Sequence, residues 1–322
     1  MVDVPGDRAA RPVRLVLGSM PFGDTVAAEA AEAIVETALA HGIDEIDTAN
    51  TYAGGAGEPM VGRVLAAVGG QVRVSSKVGM QPADSSGGPL SRDAVIRSAE
   101  ASVERLGRPL DTLYLHQPDR STPLEETLAG AAEVLQRGLA AQLGLSNYSA
   151  WEAAEIRALC ARLGVPAPRR AQQLYNLLAR KLEIEFLPFA AARDLETVVY
   201  NPLAGGMLTG RYRHDDQPEE GRFGTSSLAT MYRNRYWNTA QFEALEALRS
   251  IAAQAQVPMV ELALRWLLDA PGVSSVLLGA STPDQLRANI EAVGRGGLDE
   301  HTRAAIDSAT AGLLLDAPHY AR

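Results

Sequence analysis

The chain is poor in cysteine and has no long apolar run. Cys160 is the only cysteine among the 322 residues, which excludes an internal disulfide and is typical of a protein in a reducing compartment. No run of about 18 apolar residues occurs, so the sequence predicts no membrane-spanning helix. Residues 1–12 lack the apolar stretch of a signal peptide. We therefore expect a polar N-terminal tail and a cytoplasmic protein.

Positive charge and histidine are also scarce. The 30 basic and 39 acidic residues give a formal net charge of −9, which disfavours nonspecific binding to nucleic acids and to anionic membranes. The five histidines lie far apart, so we expect no metal site. Neither a Walker motif nor a G-x-G-x-x-G sequence occurs, and a Rossmann-type cofactor site is not indicated. The 46% hydrophobic content is that of a globular protein.

Short apolar segments alternate with longer amphipathic ones along most of the chain. The short segments predict eight strands, at residues 14–17, 45–47, 72–75, 112–115, 141–145, 171–174, 197–200 and 275–278. The amphipathic segments predict eight helices, at residues 28–41, 58–67, 91–106, 124–137, 150–163, 183–193, 259–269 and 283–293. Eight strand–helix units predict an α/β fold of one domain over residues 13–322, a closed (β/α)8 barrel (the TIM-barrel architecture). A doubly wound sheet is the alternative.

Two segments carry the pattern of a helix capping box. Residues 122–125 read Thr-Pro-Leu-Glu and residues 149–152 read Ser-Ala-Trp-Glu, and both place a hydroxyl three residues before a glutamate. In the first segment, Pro123 also suits the first position of a helix. We expect helices to begin at both places.

The longest segment without a predicted element spans residues 201–238. A loop of this length in a compact domain is usually functional or disordered. It holds five arginines and five aromatic residues: Arg211, Arg213, Arg222, Arg233, Arg235, Tyr212, Phe223, Tyr232, Tyr236 and Trp237. Because aromatics are only 5% of the chain, this concentration favours a pocket wall. A chance cluster on a mobile loop is the alternative.

Ionisable residues end three consecutive predicted strands. Asp47 ends the second strand, with Tyr52 in the following loop, Lys77 ends the third and His116 the fourth. In a barrel the reacting groups lie at these carboxyl ends. We expect Asp47 and Lys77 to pair, because an unpaired buried charge is unfavourable. Each residue taken alone also admits a purely structural role.

These four residue types together suit the reduction of a carbonyl group. An ammonium beside a tyrosine hydroxyl favours the phenolate and lowers the tyrosine pKa. Such a tyrosine can protonate a carbonyl oxygen, and a neighbouring histidine can hydrogen-bond the same oxygen. We therefore predict an acid site made by Tyr52, Lys77, Asp47 and His116.

Polar residues also end the later strands. Ser146 and Asn147 follow the fifth strand, Gln172 lies on the sixth, and Tyr200 and Asn201 end the seventh. The segment 278–285 after the eighth strand reads Leu-Gly-Ala-Ser-Thr-Pro-Asp-Gln, with a threonine N-cap before a proline. A helix that begins there would offer an anion site at its N-terminus. An ordinary capped surface helix is the alternative.

These motifs resemble those of the aldo-keto reductases along nearly the whole chain. The resemblance lies in Ile-Asp-Thr-Ala at 46–49 with Tyr52 after it, in Lys77, in Leu-His at 115–116, in Ser-Asn at 146–147, and in Gln172 shortly before Tyr-Asn at 175–176. It implies a barrel that reduces carbonyl compounds with a nicotinamide cofactor. Asp47, Tyr52, Lys77 and His116 would be its catalytic residues.

A narrower resemblance points to the aflatoxin-aldehyde and succinic-semialdehyde reductase branch. It rests on residues 144–151, 201–210, 221–223, 231–237 and 318–322. The resemblance implies that NADPH is held by Asp47, Ser146, Asn147, Gln172, Tyr200, Asn201, Leu203, Gly205, Leu208, Gly210, Arg211, Arg222, Gly279, Ser281, Thr282, Gln285 and Asn289. It likewise implies that the substrate is faced by His116, Tyr232, Arg235 and Arg322. The loop 201–238 and the tail 297–322 would lie over the active site, and a homodimer is implied.

We therefore expect reduction of aldehydes, or of ketones, with Tyr52 as the proton donor. Arg235 and Arg322 suggest a substrate that carries a carboxylate, such as succinic semialdehyde, because the guanidinium group binds carboxylates directionally. Two other functions remain open. One is an NADPH-binding, redox-sensing regulatory subunit with little turnover, and the other is a lyase in which Lys77 forms a Schiff base.

Overall fold

Eight parallel strands close into a barrel in the computed structural model of the chain, which describes residues 12–80, 88–219, 221–224, 226, 228–316 and 319–321. The strands are β1 (Arg14–Gly18), β2 (Glu45–Asp47), β3 (Arg73–Val78), β4 (Leu110–Leu115), β5 (Ala140–Ser146), β6 (Arg170–Leu174), β7 (Glu196–Tyr200) and β8 (Ser275–Leu278). Strand β1 pairs with β8, which closes the barrel. The predicted fold class is confirmed, and the doubly wound alternative is wrong.

Eight helices lie where the sequence predicts them, within a few residues. They are α1 (Ala28–Ala40), α2 (Gly57–Val68), α3 (Arg92–Leu106), α4 (Leu124–Gln136), α5 (Ala150–Leu163), α6 (Phe186–Ala192), α9 (Met259–Leu268) and α10 (Pro283–Gly294). The described residues also form four α-helices that were not predicted: α7 (Ala229–Tyr236), α8 (Thr239–Gln254), α11 (Glu300–Thr310) and α12 (Leu313–Asp316). The segment 201–238 is therefore not irregular throughout, because α7 lies within it.

One of the two predicted capping boxes forms. The Ser149 hydroxyl accepts a hydrogen bond from the Glu152 amide, and the Glu152 carboxylate accepts one from the Ser149 amide at 2.9 Å. The box at residues 122–125 is wrong. There α4 begins at Leu124 with Pro123 as its N-cap, and the Thr122 hydroxyl donates to Asp119 Oδ2 at 2.6 Å instead.

The residues on a strand point alternately into the barrel and towards the helices, which separates two environments. Most buried apolar side chains form one core between the strands and helices, and it includes Cys160. A second, small apolar cluster of Val16, Val198 and Leu277 is separate from it. Glutamate and aspartate side chains of β2 bond to arginine and glutamine side chains of β6, although these two strands are not neighbours in the sheet. The inside of the barrel is therefore partly polar.

The carboxyl ends of the strands share one face of the barrel, and this places the polar strand ends predicted above side by side. Within the described part of the chain, no helix is long and apolar enough to cross a membrane. The same residues contain no group of three or more histidine, cysteine, aspartate or glutamate side chains able to hold a metal ion. The tail predicted at residues 1–12 lies outside the description, apart from residue 12.

Candidate active site

A cavity of about 1920 Å³ opens at the carboxyl ends of the strands. Its walls include Met20 after β1, Met80 after β3 and Gly279 after β8. The segment after β7 and helix α7 form a further part of the wall. Ligand pockets of about 300–1,000 Å³ hold a drug-sized molecule. This cavity is large enough for a dinucleotide together with a small substrate.

A chain of buried polar groups reaches the cavity from the inside of the barrel. The Lys77 ammonium donates hydrogen bonds to Asp47 Oδ1, to the Thr48 carbonyl at 2.8 Å and to the Tyr52 hydroxyl at 3.1 Å. The side chains of Asp47 and Lys77 are each 1% exposed. Asp47 Oδ2 accepts a hydrogen bond from Gln172 Nε2 at 2.7 Å. The predicted pair therefore forms, and each carboxylate oxygen has a donor.

The electrostatics keep Lys77 charged and Tyr52 protonated. Burial lowers the pKa of Lys77, but Asp47 and Tyr52 outweigh it, so this pKa lies above its ordinary value. Burial raises the pKa of Tyr52, and Lys77 opposes that rise without cancelling it. The expected lowering of the Tyr52 pKa is therefore wrong in its net direction, although the lysine acts in the expected sense. A neutral phenol at physiological pH is the form that can donate a proton.

A tight turn presents Tyr52 to the cavity. Tyr52–Gly55 forms a 3-10 turn in which Ala53 has a φ of 51°. Helix α2 begins at Gly57, where an added Cβ would lie 3.0 Å from the Cβ of Tyr52 and 3.1 Å from its carbonyl oxygen. The glycine therefore lets α2 start directly against the tyrosine. The turn and the helix together fix where the phenol ring points.

His116 follows β4 and lies beside the tyrosine. The two rings meet edge to face, with centroids 6.1 Å apart and planes at 77°. The His116 carbonyl accepts a hydrogen bond from Asn147 Nδ2 at 2.8 Å, and Asn147 Oδ1 accepts one from the Tyr200 hydroxyl at 2.7 Å. The ends of β4, β5 and β7 are thereby joined. This arrangement can present two hydrogen-bonding side chains, Tyr52 and His116, to a carbonyl group in the cavity.

Most of the residues predicted to hold a cofactor line this cavity. They are Asp47, Ser146, Asn147, Gln172, Tyr200, Asn201, Leu203, Gly205, Arg211, Arg222, Gly279, Ser281, Gln285 and Asn289. Leu208, Gly210 and Thr282 are not among the lining residues. Thr282 instead caps α10, where its hydroxyl accepts a hydrogen bond from the Gln285 amide at 3.2 Å. The predicted cap before Pro283 is thus confirmed.

The lining chemistry fits a dinucleotide. Arg211 and Arg222 contribute guanidinium groups on one wall, and the N-terminal turn of α10 lies on another. Both kinds of group attract phosphates. A Cβ built on Gly279 would meet nothing within 4 Å, so the backbone there is open to a ligand. Gln172 adds a carboxamide beside Asp47, suited to an amide ligand.

Three of the four residues predicted to face the substrate line the cavity: His116, Tyr232 and Arg235. Arg322 lies outside the described residues. Within the tail 297–322, helix α11 packs on α8, and the Tyr320 hydroxyl donates to Glu185 at 2.7 Å. The described tail residues are not part of the cavity wall. A tail over the active site therefore stays a prediction.

Other lining residues were not predicted. Met20, Met80 and Met231 form an apolar part of the wall. Met20 and Met80 follow strand ends, so a search of strand ends that included apolar residues would find them. Arg295, which bonds to Glu261 at 2.6 Å, lies at the end of α10. Its sequence position carries no comparable signal.

Comparisons with known proteins agree with this geometry. The model of the Aldo/keto reductase family matches residues 14–311. Aflatoxin B1 aldehyde reductase member 2 of Rattus norvegicus is 38% identical over 322 residues, which cover 95% of this chain and 87% of the relative. Human Aldo-keto reductase family 7 member A3 is 36% identical over 327 residues, with 97% and 98% covered. A probable voltage-gated potassium channel subunit beta of Arabidopsis thaliana is 32% identical over 280 residues, with 84% of each chain covered. The chain therefore belongs to the aldo/keto reductase family, and it is an oxidoreductase that acts on carbonyl groups.

Proposed function

We propose that this protein reduces aldehydes to alcohols with NADPH and that Tyr52 is the general acid. The observation that carries the proposal is the position of Lys77, whose ammonium bonds both to Asp47 and to the Tyr52 hydroxyl in the wall of a large cavity. General acid catalysis by a positioned side chain typically contributes about 10²–10⁴-fold. The aldehyde reductases among the relatives support aldehydes as the substrate class.

The residues around the cavity suit NADPH. Arg211 and Arg222 would hold phosphate groups, and arginine's fork suits the additional phosphate that separates NADPH from NADH. The carboxamide of Gln172, with Ser146 and Asn147, would hold the nicotinamide amide. When bound, the cofactor supplies the hydride that reduces the carbonyl carbon. The protein's own side chains then stabilise the negative charge that develops on the carbonyl oxygen and donate a proton to it.

Tyr52 releases its hydroxyl proton to that oxygen as negative charge develops there. The Lys77 ammonium stabilises the phenolate that remains, because it already lies 3.1 Å from the hydroxyl oxygen. Asp47 and the Thr48 carbonyl hold the ammonium in this place. The His116 ring lies against Tyr52 and orients the carbonyl group by a second hydrogen bond.

The test of the acid assignment is Tyr52→Phe, which removes the hydroxyl group with its proton and keeps the ring. We expect turnover of a short aldehyde to fall about 10²–10⁴-fold, while NADPH still binds in a fluorescence titration. The matched control is Tyr175→Phe, which removes a buried hydroxyl bonded to Glu183 away from the cavity. Near-normal turnover in Tyr52→Phe refutes the assignment.

Arg235 supports a substrate with a carboxylate, such as succinic semialdehyde. Its side chain lines the cavity, and it donates a weak hydrogen bond to the Met231 sulfur at 4.0 Å. Because guanidinium groups bind carboxylates strongly, Arg235→Ala should raise the KM for succinic semialdehyde and leave that for butanal nearly unchanged. Equal changes for the two aldehydes would count against carboxylate recognition.

A regulatory role is the second candidate, and the similarity to the potassium channel subunit is the observation that suggests it. It predicts tight NADPH binding with negligible steady-state turnover, so the wild-type rate with a panel of aldehydes decides between the two. The Schiff-base mechanism is disfavoured because Lys77 is charged and bonded to three acceptors. Borohydride trapping of a carbonyl compound on Lys77 would revive it.

Oligomeric state and location complete the proposal. We expect a homodimer, as the family resemblance implies, and a cytoplasmic protein, in keeping with a single buried cysteine. Sedimentation analysis tests the first, and fractionation of cells tests the second.

A further inference from the structure

Two walls of the cavity touch each other. The segment 201–211 after β7 carries residues proposed to hold NADPH, and α7 carries Tyr232 and Arg235. Gly205 has a φ of 67°, and a Cβ added there would lie 2.5 Å from Tyr232 Cδ1. The Arg222 guanidinium carbon lies 6.0 Å from the centre of the Tyr232 ring. A shift of α7 relative to this segment would therefore alter the two proposed binding regions together.

A single buried oxygen joins these walls. Tyr236, the last residue of α7, is 0% exposed. Its hydroxyl oxygen accepts hydrogen bonds from Asn176 Nδ2 at 3.0 Å and from Asn201 Nδ2 at 2.9 Å. Asn176 lies just after β6, and its Nδ2 also donates to the Asn201 carbonyl at 2.8 Å. Three elements of the barrel meet at this phenol.

The network continues into the segment after β7. Asn201 Oδ1 accepts a hydrogen bond from the Gly205 amide at 2.7 Å. Gly205 is the residue that packs on Tyr232. A continuous series of contacts thus leads from Tyr236, at the end of α7, through the two asparagines to Gly205, and from Gly205 back to Tyr232 in the middle of α7. A rearrangement that leaves an amide of this network without its hydrogen-bond partner is unfavourable, so the network resists rearrangement.

Packing alone would fix α7 less firmly. Tyr232 of α7 meets the ring of Phe223 edge to face, with centroids 5.9 Å apart and planes at 69°, a contact that a small slide of α7 would leave nearly intact. Hydrogen bonds to one oxygen are directional and define a single position. Burial raises the pKa of Tyr236, so the hydroxyl stays neutral and the network does not change over the pH range of an assay.

We propose that Tyr236 is a positioning residue for carbonyl reduction. Its hydroxyl holds α7 against the segment 201–211 and thereby sets Tyr232 and Arg235 relative to the cofactor region. Tyr236 itself is not among the residues that line the cavity, so it acts through its neighbours. The inference rests on the proposed function for the assignment of what binds at each wall.

Tyr236→Phe in the full chain tests the role, because it removes the oxygen and keeps the ring. We expect the KM for the aldehyde to rise about tenfold, with kcat changed by less than about threefold, because the substrate side is displaced and the acid is not. Tyr175→Phe is again the control. It also removes one buried hydroxyl, bonded at 2.9 Å to Glu183, and should lower the Tm similarly with KM unchanged.

Asn176→Ala removes one of the two donors to the Tyr236 hydroxyl and provides a second route if Tyr236→Phe does not fold. It should raise KM in the same direction, and the double variant should show less than the product of the two single effects, because both break one network. A KM within about twofold of wild type in either folded single variant overturns the proposal.

Amide hydrogen exchange separates this inference from the proposed function. Residues 229–236 should exchange faster in Tyr236→Phe than in Tyr175→Phe, measured without any substrate. Equal exchange in the two variants overturns the proposal. A wild type that reduces no aldehyde refutes the proposed function, and the exchange experiment still decides whether Tyr236 holds α7.

Discussion

Two buried ion pairs in this barrel start from the same short strand. Glu45 and Asp47 lie two residues apart on β2, so their side chains point to the same side, and each residue is 1% exposed. Asp47 pairs with Lys77 of β3, and Glu45 pairs with Arg170 of β6. The two ion pairs are thus nearly matched in the strand that carries the acidic residue, in the burial of that residue and in the charges of the partners.

The pairs differ in what surrounds them. Asp47 lines the cavity, and its partner Lys77 donates a hydrogen bond to the hydroxyl of Tyr52. The pair at the amino end of the strands is closed by further charges instead. Arg73 Nη1 lies 2.9 Å from Glu45 Oε2, and Arg170 Nε lies 3.2 Å from Glu196 Oε2. A buried ion pair is therefore not in itself a functional site, and access to a cavity together with a group that can release a proton makes the difference.

Loss of Lys77 should give the largest effect. Lys77→Met leaves the Tyr52 phenolate without a cation and Asp47 without a counter-charge, and we expect turnover to fall about 10²–10⁴-fold. Single-turnover oxidation of NADPH by an aldehyde measures it on the folded variant. The control is Lys181→Met, which changes the only other lysine of the sequence, in a turn away from the cavity wall. A loss of less than about tenfold would mean that the Asp47–Lys77 pair, like the Glu45–Arg170 pair, has a structural role only.

Arg170→Met should separate stability from turnover. It leaves Glu45 buried with Arg73 as its remaining close cation, and breaking a buried pair costs at most about 3–5 kcal/mol. Urea unfolding measures this loss. The turnover of the remaining folded protein should match wild type, because Arg170 is not part of the cavity wall.

The double variant Glu45→Met with Arg170→Met sharpens the test. It should recover much of the lost stability, because no fully buried charge is left without a partner: Arg73 keeps its ion pair with Asp44, and Glu196 is half-exposed. Turnover that falls as far in Arg170→Met as in Lys77→Met would remove the distinction between the two ends of the barrel.

The Asp47–Lys77 pair could be predicted from the sequence. The alternation of strands and helices predicts which residues end consecutive strands, and parallel strands in a barrel bring those ends together. Asp47 and Lys77 end neighbouring strands, and the unfavourable energy of an isolated buried charge then predicts their pairing. Tyr52 follows from the same local reasoning, since it lies in the loop directly after Asp47.

The Glu45–Arg170 pair could not be predicted in this way. The two residues are 125 positions apart, on strands that are not neighbours. A charged residue at the start of a strand usually faces solvent, so neither position suggests burial. Their contact depends on the register of the whole closed barrel. The bonds of Tyr236 to Asn176 and Asn201 escape local reasoning for the same reason.

Helix α8 was missed for a different reason. A pattern of one helix for each strand assigns α9 to the connection between β7 and β8, and it leaves no place for a second helix there. Yet residues 239–254 have regular helical spacing, and the Asn238 side chain caps the first turn by accepting from the Gln241 amide. The expectation of one helix for each strand therefore led to a helix being overlooked, although its signals are present in the sequence.

The direction of the Tyr52 pKa shift could not be predicted from the sequence, because only the structure shows that the effect of burial on this pKa outweighs that of Lys77.

The pH profile should give the smallest but most specific difference between the two ion pairs. Burial raises the pKa of Tyr52 above its ordinary value of about 10, so the acid stays protonated below that pH. The alkaline fall of kcat/KM, measured with an aldehyde at saturating NADPH, should therefore lie above about pH 10.

The two cations should move this alkaline fall differently. Lys77 lowers the pKa of Tyr52, so its removal in Lys77→Met should shift the fall in the residual rate to still higher pH. Arg170 does not contact the phenol, and Arg170→Met should leave the fall where wild type has it. A shift in Arg170→Met as large as that in Lys77→Met would mean that the charges inside the barrel act on Tyr52 as one unit. The contrast between the two ends would then reflect access to the cavity alone.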